Sequence, residues 1–385
     1  MLHEVLVMAV CGLLVGGESF YDMEDFALER EQWLRGFLTL PGGIPRHDTF
    51  NRIFQALCPR AFAECFARWT QGVRARLRGD TPATGGEVVA LDGKALRRAR
   101  ARTEEPRTIV SAWATRQGLA LGQNAVAGKS NEITAVPDLL RALELAGCIV
   151  TLDALHCQKT TAREIHEADA DYLLALKGNQ GTTHQEVRAY LDDAILRRAP
   201  ELVHLETVEK GHGRLETRCY WQSTNLGWFA DRAEWKTSAA SASSKPCAKS
   251  PAAPRAPNAA TTSAACRWTS LCFARAVRGH WSIENQLHWS LDVTFDEDRS
   301  RARTRHAATN LATLRRIALN LLRARQVLRK VSTENVSAPL SIQTTSLRSS
   351  LFDASALILP VILIFPPCFR IRKLLLANAL HSAQP

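Results

Sequence analysis

Two aspartates close the same kind of phrase. In EVVALDGKALRRAR, residues 87–100, the apolar run Val88 to Leu91 ends on Asp92 and the chain then turns basic. In CIVTLDALHCQKT the run Cys148 to Leu152 ends on Asp153, and a polar helix start follows. One acid at a strand end is ordinarily a helix cap or a solvated turn residue. Two acids at equivalent strand ends are a different matter, because neighbouring strands bring their ends together and leave two carboxylates sharing one patch of surface. Such a pair repels itself unless protons or a divalent cation bridge it.

The elements that must position these acids read as a mixed-sheet α/β unit. EVVALD, RTIVSAWAT and LALGQNAV follow one another with turns between, which predicts an antiparallel meander. A helix over Ile133 to Ala146, the Asp153 strand, a helix from Gln158 to His166 and the strand DYLLAL come next. Upstream, apolar residues recur at three and four (Phe50, Ile53, Phe54, Leu57, then Phe62, Phe66, Trp69), so residues 1–78 read as a small helical domain. Downstream, LVHLETVEKGHGRLETRCYWQS reads as a hairpin about its Gly-His-Gly turn. Residues 237–264 are nearly all Ala, Ser, Pro and Thr, without an aromatic residue, and are expected to be irregular loop carrying no sheet. Helical spacing returns from Phe273 to Trp289 and from His306 to Arg323, and pattern is lost after about Arg325.

The 385 residues carry 49 Lys and Arg against 38 Asp and Glu, a formal charge of +11 that favours a polyanionic partner. Ten scattered cysteines, with no CxxC and no Cys/His cluster at zinc spacing, indicate neither a zinc site nor a disulfide framework, so reduced thiols are expected. The apolar start MLHEVLVMAVCGLLVGG lacks a basic flank and runs on into helix, so it reads as a core helix. ALILPVILIFPPCF is too short and too proline-broken to span a bilayer, and no membrane partner is expected. Glu284, mid-helix in HWSIENQLHW, reads by spacing alone as a solvated face residue in an unusually aromatic and histidine-rich setting.

The chain resembles the DDE transposases of bacterial insertion sequences, in the H-repeat-associated branch. The matching strings are PRHDTFNRIF, ALDGKALRR, SAWA, KSNEITAVP, CIVTLDALHCQK, DYLLALKGNQ, KGHGRLETR, RAVRGHWSIENQLHWSLDV and ALNLL, in order. The resemblance implies a ribonuclease-H-like α/β domain over about residues 85–325, preceded by a helical transposase-associated domain over 1–80. It further implies a β-rich insertion over about 200–270 and places the acidic triad on Asp92, Asp153 and Glu284. Three carboxylates would hold two divalent ions, Mg²⁺ or Mn²⁺, for in-line phosphoryl displacement, with Asp92 bridging both. Basic groups beside the site, Lys94, Arg97 and Arg98, are candidate contacts to the DNA backbone, and Lys177, Asn179, Gln180, His212, Arg214, Arg278 and His280 join them from the matching strings. The implied partners are double-stranded DNA and further copies of the chain, with no small-molecule substrate, in a cytoplasmic setting.

Against that family pattern, residues 237–270 and the tail from 326 to 385 depart, as shifted reading frames would make them, and the start implies a shortened N-terminus. The insertion is therefore expected to be partly lost. A degenerate copy that keeps DNA binding without catalysis is the alternative to an active transposase.

Overall fold

The computed structural model describes residues 2–78, 86–99, 107–127, 132–211, 214–229, 232, 234, 235, 238–246, 258–263 and 269–334. Its helices and strands are α1 (Leu2–Leu14), α2 (Phe20–Glu29), α3 (Glu31–Leu34), α4 (His47–Ala56), α5 (Pro59–Arg78), β1 (Glu87–Ala95), β2 (Arg107–Ala114), β3 (Leu119–Ala127), α6 (Glu132–Arg141), β4 (Cys148–Leu152), α7 (Lys159–Glu167), β5 (Asp171–Leu176), α8 (Gly181–Leu196), β6 (Leu202–Gly211), β7 (Arg214–Ser223), β8 (Ser238–Pro246), β9 (Asn258–Ser263), α9 (Ser270–His280), α10 (Trp289–Val293) and α11 (Ala307–Glu334). A π-helical turn, Ile283–His288, joins α9 to α10.

The strands form one sheet in the order β3-β2-β1-β4-β5-β9-β8-β7-β6. β1, β2 and β3 make an antiparallel meander, and β1, β4 and β5 run parallel. Alternation along the strands divides two cores. Val89, Leu91, Val150 and Leu152 face one way, into a cluster with Ala135, Leu139 and Leu140 of α6 and Ile165 of α7. Val88, Ile149 and Leu173 face the other way, under Phe273 and Ala276 of α9.

The N-terminal helices share their core with the sheet. Phe50, Phe54 and Phe62 pack in one cluster with Leu311, Leu314 and Ile317 of α11 and with Ala90, Trp113 and Ala120 of the strands. α1 is buried almost all round, which suits its unbroken apolar character. Polar contacts pin α11 in the same place. Asn310 donates to the carbonyls of Phe54 and Leu57, and the Asn320 amide exchanges hydrogen bonds with both main-chain groups of Ala120 on the edge strand β3.

Three expectations are overturned. First, residues 237–264 were expected to carry no sheet, yet β8 and β9 lie between β5 and β7 and pair along their lengths; residues 237, 247–257 and 264 lie outside the described residues. The expectation weighed the loss of side-chain burial against conformational entropy and left out the main chain. Without β8 and β9 the edges of β5 and β7 would carry unpaired N–H and C=O groups, and a strand of small residues can satisfy them. Second, α11 does not lose its pattern at Arg325 but continues to Glu334; the rest of the tail lies outside the described residues. Third, Cys219 is disulfide-bonded, whereas Cys11, Cys58, Cys65, Cys148, Cys157 and Cys272 are in no disulfide. Which cysteines meet is decided by how the strands are laid together, and chain spacing does not show it.

Candidate active site

The two aspartates are brought together by register. Gly86 and Gly147, both at positive φ (73° and 69°), immediately precede β1 and β4, and a Cβ on Gly86 would stand 2.8 Å from the Gly147 carbonyl oxygen. That close approach starts the parallel pair at Glu87↔Cys148, and pairing continues to Leu91↔Leu152. The next residue on each strand is the aspartate. Asp92 remains inside β1, paired with Ser111 of β2, while Asp153 begins the turn that follows β4.

The glutamate comes from above. α9 crosses β1 and β4 closely because Gly279 has no side chain; a Cβ there would lie 3.2 Å from Val88 Cγ1. His280, at the end of α9, is hydrogen-bonded through Nδ1 to Thr151 Oγ1 at 3.0 Å. The π-helical turn then buries Ile283 and Leu287 and leaves Glu284 exposed, with its charge still felt at Asp92. An extra residue in a helical turn is a common way of re-aiming one side chain at a functional site.

The electrostatics show how crowded the negative charge is. Burial is the largest influence on Asp92, and with the charges of Asp153, Glu284 and Glu132 it pushes the carboxyl up to about 7, against a hydrogen bond from the Gly93 amide that lowers it. Asp153 Oδ1 accepts the Leu155 N–H at 3.1 Å, fixing the short turn Ala154–His156. His288 Nδ1 lies 3.6 Å from Asp92 Oδ2, and burial, reinforced by Arg316 and Lys94, drives the imidazole down to about 3.

Glu132 was not singled out by sequence reasoning. It opens α6, its side chain is 7% exposed, and its Oε2 lies 3.7 Å from His156 Nε2. The same oxygen would be 2.6 Å from a Cβ on Gly93, so Glu132 presses on the residue that follows Asp92. It sits in the string KSNEITAVP, and a helix-start glutamate is such ordinary capping chemistry that spacing could not have raised it.

The candidate DNA contacts divide. Lys94 is corrected: it is buried, with Nζ 2.7 Å from Asp292, 2.9 Å from Asp298 and 3.4 Å from Glu297, so three carboxylates and the lack of exposure remove it from the surface. Glu297 in turn pairs with Arg316, whose Nε donates to Ser111 Oγ, tying α11 to the strand beside Asp92. Arg97 is exposed and touches Asp298, Arg98 is exposed, and Lys177 is exposed at the end of β5. Asn179 and Gln180 are spent on the protein itself, donating to the carbonyls of Ala154 and Cys157, both at 2.6 Å, and so holding the Asp153 turn. Arg278 bridges α9 to the hairpin through Glu209 and Glu216. His212 lies outside the described residues, as does the side chain of Arg214.

An all-carboxylate site strained by its own charge suits a hard divalent cation, because oxygen ligands and surplus negative charge are what Mg²⁺ or Mn²⁺ takes. Among the described residues the carboxylates are gathered within electrostatic reach of Asp92 and not into a closed ligand cluster.

Two family profiles cover most of the chain: "DDE_Tnp_1-associated" over residues 1–70 and "Transposase DDE domain" over residues 83–321. The chain is 35% identical over 332 residues to "Putative transposase YncI" of Escherichia coli O157:H7, covering 84% of this chain and 82% of that protein. It is 34% identical over 330 residues to "H repeat-associated putative transposase YhhI" of Escherichia coli (strain K12), covering 83% of this chain and 84% of that protein. An "Uncharacterized protein in dhlA 3'region" of Xanthobacter autotrophicus is 40% identical over 235 residues, 61% of this chain and 77% of its own length.

Proposed function

The chain belongs to the DDE transposase family, and on that premise we propose that it cleaves DNA at the ends of an insertion sequence and transfers the freed strand. The observation that carries the reading is the β1–β4 register, which lays Asp92 beside Asp153 beneath the turn bearing Glu284. The order β3-β2-β1-β4-β5, an antiparallel meander joined to a parallel pair, supports a ribonuclease-H-like catalytic domain over about residues 85–325, following the helical domain over about 1–80.

Asp92, Asp153 and Glu284 would hold two Mg²⁺ or Mn²⁺ ions. When bound, such ions activate the attacking oxygen and stabilise the leaving one in an in-line phosphoryl displacement. The chain's own residues do the rest. Asp92, the most enclosed of the three and the one on which the other charges converge, would be the ligand best placed to hold a cation. Exposed Arg97, Arg98 and Lys177 grip phosphate oxygens of duplex DNA, and the surplus of +11 draws the polyanion in. Pairing two element ends calls for a second copy of the chain.

The test is nicking of a supercoiled plasmid carrying the element's ends, with Mg²⁺ or chelator. We expect Mg²⁺-dependent nicking that Asp92→Asn lowers on the order of 10⁴-fold, as for loss of a group acting in a catalytic unit, with duplex affinity nearly unchanged. A wild-type chain that binds the ends and never nicks them is the degenerate copy, and the catalytic reading fails.

A further inference from the structure

Glu132 and His156 are buried polar groups beside the acidic triad that the reading above does not use. His156 is 1% exposed, yet its Nε2 faces two carboxylates, 3.7 Å from Glu132 Oε2 and 4.0 Å from Asp153 Oδ1. Its Nδ1 is buried without a hydrogen-bond partner. Burying an ionisable pair is costly, and an apolar pair of similar volume would fill the same space at less cost. Packing alone does not account for it.

The geometry points to a positioning role. Glu132 touches both aspartate-bearing segments: its Oε2 presses on Gly93, the residue after Asp92, and reaches the imidazole three residues after Asp153. The absence of a side chain on Gly93 is what admits the carboxylate. His156 lies between Glu132 and Asp153, its Nε2 standing 4.0 Å from the same Oδ1 that accepts the Leu155 amide, so the turn's contacts to Asp153 fall on Oδ1. Carboxylate–imidazole contacts of this kind orient ligands at metal sites. We propose that Glu132 and His156 form a positioning pair that sets Asp153 against Asp92 for divalent-cation binding. The inference rests on the metal-dependent reading above.

The test measures Mn²⁺ binding to the full chain without DNA, from the electron paramagnetic resonance signal of free Mn²⁺. Duplex affinity and melting in chelator are measured alongside, for the wild type, Glu132→Gln, His156→Gln, the double variant and Asp92→Asn. Glu132→Gln and His156→Gln should each weaken Mn²⁺ binding about tenfold or more, with melting and duplex affinity retained. The double variant should be no worse than the weaker single, since the two act as a unit. Where Glu132→Gln does not fold, His156→Gln, which keeps an N–H donor, carries the test. Single variants that bind Mn²⁺ as the wild type does, while Asp92→Asn does not, overturn the pair and leave the triad standing. If Asp92→Asn also binds normally, the metal site itself is wrong. Loss of melting temperature or duplex affinity in step with Mn²⁺ affinity would show a structural role only and overturn the proposal.

Discussion

The two halves of the sheet are held by different forces. From β3 to β5 both faces are covered, and Val89, Leu91, Val150 and Leu152 on one side and Val88 and Ile149 on the other are all 3% exposed or less. From β9 to β6 burial is one-sided: Tyr220 of β7 is 0% exposed against Phe273 and Ala242 of β8 joins the same core, while Val203, Val208 and Leu215 stand 55%, 60% and 74% exposed. The first half is specified by apolar burial on both faces, and the second, with its exposed apolar residues on β6 and β7, leans more on main-chain pairing. Catalytic geometry belongs with the first, because a register flanked by two cores cannot slip by one residue without turning every side chain over.

Trp113→Ala should expose that contrast most strongly. Trp113 is 0% exposed where β2 meets the α11 core, and its truncation should cost about 3–5 kcal/mol in urea unfolding. Val208→Ala on β6 should stay within about 0.5 kcal/mol. Similar losses at both positions would erase the distinction.

Asp92→Asn should stabilise the metal-free protein. Asp92 titrates near 7 when folded and from an ordinary value of 3.8, so between those values the folded chain holds the extra proton and stability falls as pH rises. Asparagine escapes that fall. Its advantage over the wild type should therefore grow from pH 4 to pH 7 and level off above, reaching at most on the order of 4 kcal/mol. The lowered histidines, His156, His280 and His288, destabilise both proteins on acidification and largely cancel in the difference. A flat difference in chelator would mean that neither burial nor neighbouring charge raises Asp92.

Smaller effects separate surface from support. Arg97→Ala should lower the salt slope of duplex binding by about 1. Asn179→Ala and Gln180→Ala should leave it unchanged and cost about 1 kcal/mol of stability each, as lost hydrogen bonds, because their amides serve the Asp153 turn. A changed slope in either amide variant would return it to the DNA surface.

Legibility in the sequence follows the same division. The meander, the two aspartate strands and the hairpin could be read because alternation and apolar runs record burial, and burial is what forms them. Glu284 came only from resemblance, since an exposed glutamate in a helix has no signature. Lys94 was misread because a lysine after an aspartate looks solvated until Asp292, Glu297 and Asp298, two hundred residues away in the chain, close over it. Glu132 and His156 stayed hidden for the same reason: their meaning lies in contacts between distant segments. β8 and β9 stayed hidden because backbone pairing leaves no mark on the choice of side chains.

The last and smallest global effect is the sharpest check on that point. Ser243 sits mid-strand in β8, paired with Trp221 of β7 on one side and Ala259 of β9 on the other. Ser243→Pro removes a ladder N–H from an inner strand, which proline tolerates only at edges. If main-chain pairing is what holds this half, hydrogen exchange should speed up across residues 238–246 and 258–263. Amides of β1 and β4 should keep their protection, because Val89, Leu91, Val150 and Leu152 face a core to which no described residue of β8 contributes, and sheets open in separate cooperative units. Loss of protection at Val89 to Leu91 in step with β8 would mean that the sheet unfolds as one body, and the division into a buried half and a backbone-held half would be wrong.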